Sequence, residues 1–305
     1  MRVVLTGATG TVGRALAGAL TSAGEQVVAL SRDADRGRSA LGRQVEVAQW
    51  RDPSSSPPPA AALSGADAVV NLLGEPVAQR WSDAAKARIR DSRVLGTRSL
   101  VEGLRSLPED ARPRTLVSQS ATGFYGPRGN ESIGEDAAGG SDFLAGVVAG
   151  WEREALAATE LGIRVVTTRT GVVLSAEGGA LAKMLPFFRL GVGGPVAGGR
   201  QYVPWIHMDD VVEGIRFCLA HAEARGAVNV TAPNPVTNGE LSRALGRVLH
   251  RPALLPVPAF ALRLLYGEMS EIVTTGQRVI PERLASLGYP FRFPEIEPAL
   301  RDVLA

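Results

Sequence analysis

The stretch Arg2-Val3-Val4-Leu5-Thr6-Gly7-Ala8-Thr9-Gly10-Thr11-Val12-Gly13 decides the fold. Val3 to Leu5 form a short apolar, β-branched run, which reads as a strand buried on both faces. Three glycines spaced three apart follow, and Ala15, Leu16, Ala19 and Leu20 then recur at helical spacing. Strand, tight turn and helix N-terminus therefore occupy the opening of the chain. Gly7 permits a turn closed to side chains, Gly10 lets a phosphate approach the backbone, and Gly13 lets the helix pack against the strand. The free N–H groups of the first helical turn and the positive end of its dipole favour a pyrophosphate. Gly-x-x-Gly-x-x-Gly is a weaker signal than Gly-x-Gly-x-x-Gly. Its place between a first strand and a first helix is what points to a dinucleotide.

Working outward, Gln26 to Leu30 make a second strand that ends in Ser31-Arg32, with Asp33 one place beyond. An acid at this tip suits an unmodified ribose, whereas a guanidinium suits a 2′-phosphate, because its planar donor fork matches phosphate oxygens. Arg32 thus favours NADP(H) over NAD(H). The other reading is a solvated loop arginine, and Arg36, Arg38 and Arg43 stand nearby. Val45 to Gln49 read as a third strand, and Ala68 to Leu73 as a fourth that closes on Gly74. Between them, Asp52 to Pro59 is a proline- and serine-rich connection. A helix is predicted from about Ser82 to Leu107, capped by Ser82 and ended by Pro108. Arg93 falls on its small, apolar face, where a buried guanidinium needs an anionic partner.

Thr115 to Ser118 make a fifth strand, followed by Gln119-Ser120-Ala121-Thr122-Gly123-Phe124-Tyr125-Gly126. A helix from about Asp142 to Leu161 and a sixth strand from Ile163 to Arg169 complete the alternation. Such regular strand–helix alternation implies an α/β, Rossmann-type doubly wound parallel sheet. From Ser175 the composition changes, and glycines cluster at 178–179, 191, 193–194 and 198–199 around Met184 to Phe188, as in a loop-rich lid or cleft wall. Further helices are expected over Asn238 to Leu249 and Ala259 to Thr275. The domain expectation is a nucleotide-binding unit over 1–174, completed by about 208–230. Residues 175–207 and 231–305 form a smaller substrate-side subdomain.

Size and composition narrow the function. With 305 residues and 45% hydrophobic side chains the chain can bury a large core, and a net charge of +2 gives no electrostatic case for nucleic acid. Cys218, alone and set in an apolar helical run, reads as a small buried hydrophobe and allows neither an internal disulfide nor a cysteine metal cluster. No apolar run approaches the ~20 residues of a membrane span, and the chain opens directly in a core strand. The expectation is a reduced cytoplasmic protein, monomer or homodimer, with no metal, no membrane partner and a small-molecule substrate. Lysine is scarce, with only Lys86 and Lys183.

The chain resembles the extended branch of the short-chain dehydrogenase/reductase superfamily. The resemblance is carried by Thr6 to Gly13, Asn71-Leu72-Leu73-Gly74, Ser118 to Thr122, Phe124-Tyr125-Gly126 and Trp205-Ile206-His207-Met208-Asp209-Asp210. More closely, Arg169 to Leu174, Gly178 to Met184 and Arg189 to Pro195 are similar to an atypical "epimerase family" subgroup. Its small C-terminal module of unknown role is matched by Pro256 through Pro281. The resemblance implies an NADP(H) site formed by Gly7, Thr9, Gly10, Thr11, Val12, Ser31, Arg32, Leu72, Leu73, Gly74, Arg93 and Val173. It also places Ser120 in the catalytic serine position and gives the His207 segment a structural role.

The same resemblance exposes a gap. Superfamily enzymes use Tyr-x-x-x-Lys on the helix after strand five, which sets both side chains on one helical face. The lysine helps lower the tyrosine pKa for proton exchange with substrate. Here the helix reads Phe143-Leu144-Ala145-Gly146-Val147, so both groups are replaced. Tyr125, near Ser120 in sequence, is the candidate substitute donor; without a lysine its pKa stays near ~10, a usable acid and a poor base. It could equally pack under its loop. His207 ranks below it, and Arg200 could hold an anionic substrate group or order its glycine loop. Two functions stay open: an NADP(H)-dependent oxidoreductase or epimerase, and a non-catalytic NADP(H) sensor or scaffold.

Overall fold

A computed structural model describes residues 1–305. In chain order the strands are β1 (Arg2–Thr6), β2 (Gln26–Ser31), β3 (Val45–Gln49), β4 (Ala68–Asn71), β5 (Thr115–Ala121), β6 (Ser132–Ile133), β7 (Arg164–Thr170), β8 (Val172–Leu174), β9 (Tyr202–Val203), β10 (Trp205–His207), β11 (Gly226–Val230), β12 (Val236–Thr237) and β13 (Arg278–Val279). Seven of them form one sheet in the order β11-β7-β5-β4-β1-β2-β3, with every neighbouring pair parallel. The strand order reverses between β1 and β4, and in such sheets the crevice at the carboxyl ends there receives ligands.

Alternation along β1 builds two cores. Val3 and Leu5 pack on one face with Leu16, Leu20, Ile215 and Cys218, from the helices Thr11–Ser22 and Met208–Ala220. Val4 faces the other way, toward Leu100 and Leu104 of helix Asp83–Arg105 and Ala155 of helix Phe143–Leu156. Burial pushes the Cys218 thiol up to about 12, so it stays a neutral, packed hydrophobe. A third core lies in the later part of the chain, where Leu181, Leu185, Phe188, Trp205, Leu245 and Leu300 meet. Asp210 ties this part to the sheet: buried, it accepts from Tyr289 Oη at 3.1 Å and from the backbone N–H groups of Arg292 and Phe293 at 2.9 Å each. No helix is long and apolar enough to cross a membrane.

Several expectations need correction. β5 runs on to Ala121 because β7 continues beside it, pairing Ser120 with Arg169 and Ala121 with Thr170. Within the expected loop-rich lid lies the helix Gly179–Arg189, which buries Leu181, Leu185 and Phe188 at helical spacing despite Pro186 inside it. The helix expected over 259–275 breaks at Gly267 (φ +62°) into Ala259–Tyr266 and two short turns. The edge strand β11 escaped the sequence reading.

Candidate functional site

The glycine corner closes through the backbone. Gly7 has φ +62°, and a Cβ there would lie 2.3 Å from the carbonyl oxygen of Leu72; one on Gly13 would lie 2.3 Å from that of Gly7. Neither position tolerates a side chain, so β1, the end of β4 and the first helix meet as closely as backbone allows. Gly10 donates to the Gly7 carbonyl at 3.0 Å, and no side chain caps helix Thr11–Ser22. The amides of Thr11, Val12 and Gly13 therefore have no intrahelical acceptor and present a donor cluster at a positive helix end. From the other side the segment after β8 leans in: a Cβ on Gly178 would stand 3.2 Å from Thr11 Oγ1. Val173 lies on β8, which pairs with β10.

At the tip of β2, Ser31 Oγ donates to the carbonyl of Asp33 at 2.7 Å. Asp33 caps helix Ala34–Leu41, its carboxylate accepting from the Arg36 amide at 3.0 Å. The one acid at this tip is thereby engaged as a cap. Arg32 is exposed, and its guanidinium takes part in no hydrogen bond or ion pair, while its carbonyl accepts from Gln49 Nε2 at 3.1 Å.

Below the corner, Thr6 Oγ1 donates to Asn71 Oδ1 at 2.8 Å, and Asn71 Nδ2 donates to Thr97 Oγ1 at 2.9 Å and Ser118 Oγ at 3.1 Å. Leu72 N in turn donates to Thr6 Oγ1 at 2.9 Å. This buried chain of side chains joins β1, β4, β5 and helix Asp83–Arg105, and fixes where β4 ends. Leu73 packs over Gly96 of that helix. Arg93, on the same helix, lies against Gly74, where a Cβ would come within 2.9 Å of its Nη2. Its guanidinium donates to the carbonyls of Glu75 and Ile89 at 2.9 and 3.2 Å and sits 5.2 Å from the Trp151 ring, with no carboxylate ion-paired to it. Burial pulls it down to about 10, still charged at neutral pH.

Ser120 and Tyr125 are brought together through two residues the sequence reading did not weigh as site residues. Ser120 Oγ donates to Glu152 Oε1 at 2.5 Å. Arg169 grips both oxygens of Glu152 at 2.8 Å and reaches Tyr125 Oη at 3.0 Å from Nη1. Tyr125 Oη donates to Asn229 Oδ1 at 2.7 Å, and the Arg169 guanidinium stacks 3.6 Å over Phe124. All of these polar side chains are buried, and Ser120 and Tyr125 are 1% and 0% exposed. Burial pushes the Tyr125 phenol up, against the opposing bonds from Arg169 and Asn229. Glu135 joins the group: its Oε1 accepts from the amides of Asn229 and Arg283, while Oε2 is buried without a partner. Arg169 stood in a quoted motif; Glu152 had as its one signal a carboxylate directly after the uncharged run Phe143 to Trp151 of helix Phe143–Leu156.

Phe143, at the tyrosine position, stacks edge-on with Trp81 at 5.2 Å, and Lys86 Nζ lies 5.1 Å from its ring while gripping Glu268. His207 caps helix Met208–Ala220, its Nδ1 accepting from Asp209 N at 3.1 Å, which is the structural part the resemblance implied. Arg200 belongs to a separate hollow lined by Gly198, Gly199, Tyr202 and Arg243, away from Ser120.

A doubly wound parallel sheet with a glycine-cradled helix terminus at its switch point defines a Rossmann-type protein of the short-chain dehydrogenase/reductase kind. The chain belongs to the NAD dependent epimerase/dehydratase family, whose family model matches residues 3–231; residues 257–303 match a domain of unknown function, DUF1731. It is 39% identical over 311 residues to the chloroplastic epimerase family protein SDR39U1 homolog of Arabidopsis thaliana, covering 100% of this chain and 87% of that one. It is 36% identical to the epimerase family protein YfhF of Bacillus subtilis, covering 100% and 98%. Among solved structures, human epimerase family protein SDR39U1 (isoform 2), crystallised with NADPH, superposes with a TM-score of 0.87 at 33% identity, covering 99% of each chain.

Proposed function

We propose that the chain binds NADP(H) at the crevice between β1, β2 and β4 and acts as an oxidoreductase or epimerase on a small molecule. One observation carries the cofactor reading: an uncapped helix terminus behind a cradle closed to side chains, beside an arginine without a partner and an acid engaged as a helix cap. The human relative crystallised with NADPH supports it. The amides around Gly7, Thr9, Gly10, Thr11 and Val12 would face the diphosphate. Ser31 and Arg32 would hold the 2′-phosphate, and Leu72, Leu73, Gly74 and Val173 would wall the pocket, with Arg93 the nearby fixed positive charge. The bound nicotinamide would supply hydride transfer.

Ser120 would polarise a substrate carbonyl and Tyr125 would supply a proton. Each hydroxyl proton is engaged in this conformation, that of Ser120 on Glu152 and that of Tyr125 on Asn229. Turnover thus requires at least one of them to rotate toward substrate. That same observation favours the second reading, a non-catalytic NADP(H) sensor or scaffold. The deciding experiment follows NADPH consumption over a panel of carbonyl compounds and sugar nucleotides, with wild type, Ser120→Ala and Tyr125→Phe. The enzyme reading expects turnover reduced by both substitutions. Turnover indifferent to both removes the site assignment, and NADPH binding without turnover on any compound selects the sensor.

A further inference from the structure

Two stretches of the chain, 178–208 and 241–267, contain no Asp or Glu, yet carry Lys183, Arg189 and Arg200 in the first and Arg243, Arg247, Arg251 and Arg263 in the second. The whole chain has a net charge of only +2, so what sets these stretches apart is the lack of acids; of their seven cations, Arg247 is paired, with Glu297 at 2.8 Å. The two stretches lie side by side. Arg251 Nε donates to the Arg189 carbonyl at 3.1 Å, Pro252 packs on Gly191, and Val196 bridges Val257.

The same surface holds much of the exposed apolar side-chain area of the molecule. Leu190, Leu254, Phe260 and Leu264 are 76–80% exposed, and Phe187 and Leu265 are exposed beside them. Helix Ala259–Tyr266 reads Ala-Phe-Ala-Leu-Arg-Leu-Leu-Tyr and buries none of its residues. A helix that hydrophobic, with no residue buried, is short of a partner.

We infer that this face docks on an anionic lipid surface. Charge complementarity selects the occupant. A second copy in two-fold contact would set arginine against arginine, whereas a negatively charged headgroup layer accepts the arginines while the apolar side chains enter below it. Leu254 stands at the rim of an open hollow lined by Arg243, Arg247 and Arg251, and Leu190, Phe260 and Leu264 are as exposed as it is, as insertion requires. The expectation of no membrane partner came from the lack of a spanning segment, which leaves peripheral docking open. This inference stands apart from the cofactor reading.

The test is co-sedimentation of the full chain with vesicles of phosphatidylcholine containing phosphatidylglycerol, against pure phosphatidylcholine. Wild type should pellet with the anionic vesicles, and much less so as salt rises. Phe260→Ser/Leu264→Ser should weaken this on the order of tenfold or more, because two apolar side chains no longer enter the interface. Arg189→Gln/Arg263→Gln should weaken it and flatten the salt dependence; neither residue has a side-chain partner to lose. Unchanged circular dichroism and unchanged solubility would show that both variants are folded. Wild type remaining in the supernatant with both vesicles overturns the inference. So does binding indifferent to both pairs of substitutions, or a wild-type dimer in sedimentation velocity that Phe260→Ser/Leu264→Ser converts to monomer.

Discussion

The guanidinium of Arg169 grips the carboxylate of Glu152 with two bonds, Nε to Oε1 and Nη2 to Oε2, each 2.8 Å long. Side-chain exposures of 6% and 8% make this a buried ion pair, linking β7 to helix Phe143–Leu156. Burial would lower the arginine, yet Glu152 and Tyr125 raise it overall. Arg169→Met leaves Glu152 buried and unpaired, and should cost ~3–5 kcal/mol of stability in urea unfolding. Glu152→Leu/Arg169→Met should recover part of that loss, because an apolar pair of similar volume removes the uncompensated charge, while Ser120 Oγ and the Glu135 carbonyl still lose their partners. A single-variant cost below about 1 kcal/mol would show that water reaches the pair.

Glu135 gives a pH signature. Its carboxyl is raised chiefly by burial, against the backbone bonds it accepts. A carboxyl whose folded pKa lies above its unfolded value contributes fully only below the unfolded pKa. That contribution is lost as pH rises through the folded value. Glu135→Gln keeps an acceptor oxygen for the Asn229 and Arg283 amides. The variant should therefore gain on wild type in unfolding free energy as pH rises from about 4 to 7. A difference that stays constant across this range would contradict the assignment.

Arg93 lies half-buried against Gly74 with backbone carbonyls as its hydrogen-bond acceptors. Arg93→Met removes a charge that no carboxylate pairs with, so the free protein should change by less than about 1 kcal/mol. If the guanidinium serves the cofactor, NADPH affinity should fall ~10-fold or more, the scale of one charge-assisted hydrogen bond. Calorimetry on the purified variant reads both. Loss of stability with affinity intact would make Arg93 a packing residue.

Gly13→Ala places its methyl 2.3 Å from the Gly7 carbonyl oxygen and 2.7 Å from Ala8 Cα. The helix must back away from the strand, at ~1–3 kcal/mol, the usual scale of overpacking. Melting curves should show wild type raised by NADPH and the variant hardly moved. An equal rise in both would free the corner of its assigned role.

The fold was legible because its determinants are local. Val3 to Gly13 carries strand, turn and helix start in one stretch, and the regular alternation that follows permits few arrangements. Where tertiary partners set the outcome, the local pattern carries no signal. β5 extends past Ser118 because β7 lies beside it, and β11 is a strand by virtue of pairing with β7 at the sheet edge. The cofactor-side residues share short motifs and could be named from them. Glu152 could not: it is distant in sequence from both Ser120 and Arg169, and only the packing of a helix on two strands joins the three. Tyr125 and Ser120 are near in sequence, but nothing in their spacing shows that Asn229 and Glu152 accept their hydrogen bonds.

The central claim is that the glycine corner binds a dinucleotide phosphorylated on the adenosine ribose, with Arg32 reading that phosphate. Titration calorimetry of NADPH and NADH into wild type and Arg32→Ala tests it most directly. The account predicts tighter uptake of NADPH by wild type, an affinity loss of ~10- to 100-fold for NADPH in Arg32→Ala, and little change for NADH. Equal losses for the two nucleotides would contradict the role of Arg32, and no uptake of either by wild type would contradict the account as a whole.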